Sequence, residues 1–121
     1  MHQQGALAYQ QTAKVVASSR ERESALLMKA AAGLQKIKDE WPDSYDDLKT
    51  ALTFNRKLWT IFMASVTKED SPLPTDVREN IANLGMFIMN QTREILIEPQ
   101  PQKLDVLVRL NRQLAAGLRG T

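Results

Sequence analysis

Proline is absent before Pro42 in this 121-residue chain, and the other four fall in two pairs, Pro72/Pro74 and Pro99/Pro101. Proline lacks an amide donor and restrains the residue before it. The chain is therefore divided into long helix-compatible stretches that meet at three points. No run alternates apolar and polar residues, and no Asn-Gly or Asp-Gly pair occurs, so strand and hairpin signals are weak. The pattern predicts an all-α fold: one domain over 1–121, a compact helical bundle of about five helices.

The first expected helix covers 5–17, with Leu7, Tyr9, Ala13 and Val16 on its buried face. Ser18 or Ser19 is expected to end it, because Ser18 with Glu21 three residues on matches a capping box. Leu27, Ala30, Leu34, Ile37 and Trp41 then step by three and four, the seam of a helix packed along its length. After Pro42 a third helix is expected from a Ser44 cap, with Asp46 and Asp47 at the positive end of its dipole. Its stripe is Leu48, Ala51/Leu52, Asn55, Leu58/Trp59, Phe62 and Val66, and roughly 24 residues would span about 36 Å. A fourth, about 75–97, uses Val77, Ile81, Leu84, Ile88 and Ile95. It is apolar almost all round from Leu84 to Met89, which predicts a central position. Gly85 within it predicts a close helix contact, since glycine costs about 1 kcal/mol there against alanine. A last helix carries Leu104, Leu107, Leu110/Asn111, Leu114 and Leu118 and stops at Gly120. Residues 99–121 carry four basic groups and one acidic, residues 72–98 two basic and four acidic, so these two helices are expected to pair.

Composition narrows the chemistry. With 43% hydrophobic and 25% charged residues the chain is globular rather than disordered. There is no Cys, and the one His is His2; this excludes disulfides, thiolate metal sites, cysteine nucleophiles and histidine-based triads. No metal or other cofactor is expected. The carboxylate pairs Asp46/Asp47 and Glu69/Asp70 fall at helix ends, where acids serve the dipole. The five glycines are scattered, so no phosphate-binding loop is formed. Arg20, Arg22, Lys57 and Arg112 remain as charged groups, but no polar pocket is evident, and an enzyme is not expected. A formal net charge of +2 is too small to indicate nucleic acid. The basic last helix (Lys103, Arg109, Arg112, Arg119) lacks interleaved aromatics. No apolar run approaches the ~18 residues of a membrane span, and no secretory signal precedes the first helix. A cytoplasmic protein is the expectation.

Asn55 and Asn111 interrupt apolar stripes, and Asn80 and Asn83 flank Ile81. Such amides either specify which helices pair, because an unpartnered buried amide costs about 1–3 kcal/mol, or line a groove for an incoming helix. Arg56, Arg78 and Arg112 adjoin them, either covering apolar surface with their stems or clamping carboxylates on a partner. Trp41 and Trp59 lie on the stripes and are expected in the core.

The segment Asn55-Arg56-Lys57-Leu58-Trp59-Thr60-Ile61-Phe62 resembles FlaF, a family of flagellar biosynthesis regulators of alphaproteobacteria. Pro72-Leu73-Pro74, Arg78, Asn80-Ile81-Ala82-Asn83-Leu84 and Asn111-Arg112 through Ala115-Ala116-Gly117-Leu118 extend the likeness, in order and spacing, from Tyr9 to Gly120. Ser18-Ser19-Arg20-Glu21 stands where the family often has Ser-Pro before Arg-Glu, and Ser71 where it often has Asn. The resemblance implies a flagellin-binding regulator and secretion chaperone that promotes flagellin synthesis and export. Flagellin, through its amphipathic terminal helices, is the implied partner, together with FlbT, a regulator that restrains flagellin translation. The alternative is an RNA-binding regulator of flagellin message centred on Arg109, Arg112 and Arg119. The residues expected at a partner surface are Asn55, Arg56, Trp59, Arg78, Asn80, Asn83, Asn111 and Arg112, with Trp59 as the anchor.

Overall fold

Ser18 and Ser19 do not end a helix. The backbone runs through both in one helix, α1 (His2–Asp39), followed by α2 (Leu48–Val66), α3 (Thr75–Ile97) and α4 (Asp105–Arg119). Short 3-10 turns, Tyr45–Asp47 and Pro101–Leu104, lead into α2 and α4. This is a computed structural model that describes the backbone of residues 2–119 and the side chains of residues 19–119. The bundle is thus all-α with four helices rather than five. Serine retains its amide donor and costs only a few tenths of a kcal/mol inside a helix, whereas proline removes a hydrogen bond. With no proline before Pro42, nothing interrupts α1. Leu7, Tyr9, Ala13, Val16 and Ser18 lie outside the described side chains, and Gly120 lies outside the described residues.

Capping also differs at the next junction. The Trp41–Pro42 peptide is cis. Ser44 makes no cap bond; its hydroxyl donates to Glu40 Oε2 at 3.0 Å, tying the turn back to α1. The 3-10 turn takes up residues expected to be helical and α2 ends at Val66, so it has 19 residues rather than about 24.

The buried faces follow the expected spacings with small rotations. Along α1 they are Ser24, Leu27, Ala30, Ala31, Leu34 and Ile37, while Trp41 is half-buried against Tyr45. On α2 Leu48, Leu52, Asn55, Trp59, Phe62 and Val66 are buried. On α4 Val108 and Ala115 are buried and Leu110 and Leu114 only half so. Ala115 explains the rotation: its small side chain lets the helices approach, and the Ser24 hydroxyl donates to its carbonyl at 2.8 Å.

Three α1–α4 ties fix an antiparallel pairing: Ser24 to Ala115, Leu27 to Asn111, and the ion pair of Lys38 with Asp105. α1 also packs on α2, and α3 packs chiefly on α2. The centre is therefore α1, not α3, and basic α4 pairs with α1 rather than with acidic α3. Exposed ion pairs contribute about 0.2–1 kcal/mol, too little to outweigh an apolar seam as long as that of α1. The α3 face that meets α2 carries Ile81, Gly85, Ile88, Thr92 and Ile95, and its opposite side leaves Met86 and Phe87 exposed. Gly85 makes the close contact expected of it. An added Cβ would overlap Met63 Sδ, so the absent side chain is the space Met63 fills. No helix among the described residues is long and apolar enough to cross a membrane.

Candidate functional site

Three residues expected at a partner surface instead form a buried network. Asn55, Trp59 and Asn111 are each 0% exposed. Trp59 Nε1 donates to Asn111 Oδ1 at 2.9 Å, and Asn111 Nδ2 donates to Asn55 Oδ1 at 2.7 Å and to the Leu27 carbonyl at 3.4 Å. The indole can only donate, so the Asn111 oxygen must face it, and this in turn makes the Asn55 oxygen face Asn111. One amide thus joins α1, α2 and α4. Burial removes Asn55, Trp59 and Asn111 from any contact surface; they specify register, and Trp59 is no anchor for a partner. Asn55 Nδ2 is buried and has no partner among the described residues.

Arg78 is also internal in its role. Its guanidinium donates to the Lys68 carbonyl at 3.3 Å and to Thr75 Oγ1 at 3.1 Å. It thereby places a cation just past the negative end of α2 and holds the 68–74 connection. Ser71 Oγ accepts from the Leu73 amide at 3.4 Å within that connection, a turn bond that asparagine also makes. Arg56 and Arg112 are exposed on α2 and α4, and Asn80 and Asn83 are exposed on α3. They occupy three different helices, and no described cavity collects them. Arg112 borders a shallow depression with Gln35, Asp105 and Arg109.

The cavity with a built apolar floor lies elsewhere, between α1 and α2. It is an open groove of about 390 Å³ floored by Ala30, Gly33, Ile37, Ala51 and Phe54 and edged by Lys29 and Lys36. A Cβ on Gly33 would meet nothing within 4 Å, so this glycine keeps the groove open rather than admitting a neighbouring helix. Lys29 Nζ sits 5.8 Å from the centroid of the Phe54 ring, within cation–π range. Beyond Phe54 a second shallow depression is bounded by Lys49 and Lys57. None of these groove residues was expected at a site. The signals were present: a glycine off the buried seam of α1, and an aromatic one position away from the α2 stripe.

A smaller cavity of about 280 Å³ lies at the other end of the α1–α2 pair, bordered by Arg20, Glu23, Phe62, Leu73 and Leu118. Burial pushes the Glu23 carboxyl above the ordinary glutamate value, partly offset by the Arg20 charge and by a hydrogen bond from Ser19.

These features match no curated protein and no solved structure. One family model, described as flagellar protein FlaF, matches residues 6–118. Because that match takes in the whole hydrogen-bonded core and both walls of the groove, the chain belongs to the FlaF family of flagellar proteins.

Proposed function

We propose that this chain is a flagellin-binding regulator and secretion chaperone, promoting flagellin synthesis and export by holding flagellin's amphipathic terminal helices before filament assembly. It acts by binding and not by catalysis. The observation that carries the reading is the open apolar groove between α1 and α2, in a chain of a flagellar family. Unpaired amphipathic helices expose an apolar stripe, and a groove between two helices is a common receptor for one. An open apolar groove on an all-helical surface suits the helix-in-groove mode of recognition. FlbT is a further partner in this reading, competing with or relieving the effect on translation.

Titration calorimetry of the purified protein with monomeric flagellin tests it. Saturable heat and co-elution at about micromolar concentrations are expected; neither heat nor co-elution at tens of micromolar would end the proposal. The flagellin leader RNA is the control. α4 exposes Arg109, Arg112 and Arg119 but contains no aromatic residue, so no salt-dependent gel shift is expected.

A further inference from the structure

The groove between α1 and α2 carries information about the charge of what it holds. Lys29 and Lys36 stand on its α1 edge, while the facing side carries Ser44 and Thr50. Among the described residues the ion pairs are Lys38–Asp105 and Lys103–Glu98, so Lys29 and Lys36 are left without a carboxylate. Asp47, at one end, is the acid that borders the groove. An apolar floor beside an unpaired basic edge favours an occupant with acidic groups on that flank and repels one that is basic there. Spacing adds to this. Lys29 and Lys36 are seven residues apart on α1, which places them about 10 Å apart along its axis. That is two helical turns of an occupant lying along the groove.

We infer that the groove binds an amphipathic helix whose apolar stripe is flanked, on the edge facing α1, by carboxylates about two turns apart. The inference deepens the binding reading above and rests on it. The floor residues take the apolar anchors, Gly33 leaves the space for one of them, and Lys29 and Lys36 pair with the acidic edge. Lys29 is held over Phe54, close to where an anchor enters, so its charge is partly preordered.

Two synthetic helical peptides of about 16 residues test this by calorimetry against the full-length protein. Both carry leucines at i, i+3, i+4 and i+7; one has glutamates along one flank of that stripe and the other lysines at the same positions. The glutamate peptide is expected to bind at least about tenfold more tightly than its lysine twin, with affinity falling as salt rises. Gly33→Leu, which fills the groove, is expected to abolish binding while helicity and Tm hold at or above wild type. Lys29→Glu combined with Lys36→Glu is expected to weaken binding about tenfold. Equal binding of the two peptides, undiminished binding by Gly33→Leu, or no binding of the glutamate peptide overturns the inference. Flagellin separates this from the parent proposal. If flagellin binds Gly33→Leu as tightly as wild type, the groove assignment falls and flagellin binding stands. If the glutamate peptide binds and flagellin does not, the reverse holds.

Discussion

Asn111 contributes both sides of its amide to the interior, and replacing it removes partners from three other groups at once. Asn111→Leu leaves the Trp59 indole, the Asn55 oxygen and the Leu27 carbonyl without their bonds. A loss of about 3 kcal/mol in urea unfolding is expected. Asn55→Leu should cost less, under about 1.5 kcal/mol, because it breaks one bond and also removes a buried donor that has no partner. Equal costs for the two would mean that the network is not organised around Asn111. At Gly33 the expectation has the opposite sign: Gly33→Ala meets no neighbour and should stabilise by about 0.5–1 kcal/mol. Glu23 sets a pH dependence. Its carboxyl is raised by burial, so the native state binds its proton more tightly than the unfolded chain. Its contribution to stability is greatest below the unfolded value and falls as pH rises through the interval up to the raised native value. Glu23→Gln should flatten that part of a stability profile taken between about pH 4 and pH 7. An unchanged slope would assign the dependence to other groups.

At the scale of elements, the spacing of apolar residues located α2, α3 and α4 but split α1 in two, and it did not give the exact face each helix buries. The α2 stripe was readable directly, since Leu48, Leu52, Asn55, Trp59, Phe62 and Val66 repeat at helical spacing and all are buried. On α4 the leucines at 110 and 114 drew the expected face to one side, and the true face passes through Val108 and Ala115. Hydrophobicity ranks leucine above alanine, whereas close approach to α1 needs the smaller residue, and that need exists only once the two helices are paired. The α2–α3 seam depends on Gly85 receiving Met63. Gly85→Leu should separate these helices and lower Tm by several degrees, a destabilisation of about 1–3 kcal/mol from overpacking. Arg78→Ala should free the 68–74 connection, which hydrogen exchange at the amides of Ser71 and Leu73 would detect as lost protection.

Across the whole molecule, the long α1 organises the bundle: α4 and α2 both pack against it, and α3 lies outside on α2. That arrangement leaves an open groove between α1 and α2, with a basic edge on α1 and an apolar floor. The surface residues first singled out, Arg56, Asn80, Asn83 and Arg112, are dispersed over α2, α3 and α4, and simultaneous alanine replacement of Asn80 and Asn83 should leave flagellin affinity within about twofold. A much larger loss would move the contact surface to α3.

The sequence by itself determined the helical class, the junctions at the prolines, the buried stripes of α1 and α2, and the family. Each of these follows from neighbours in the chain: proline chemistry, periodicity, and a pattern of residues extending over most of its length. Only the tertiary structure decided that α1 is continuous and central, that Asn55, Trp59 and Asn111 face one another, and that Lys29, Gly33 and Phe54 border a common groove. Those outcomes depend on which helices meet and at what rotation. A side chain's role as scaffold or as surface is set by what lies across from it, and residues far apart in sequence supply that.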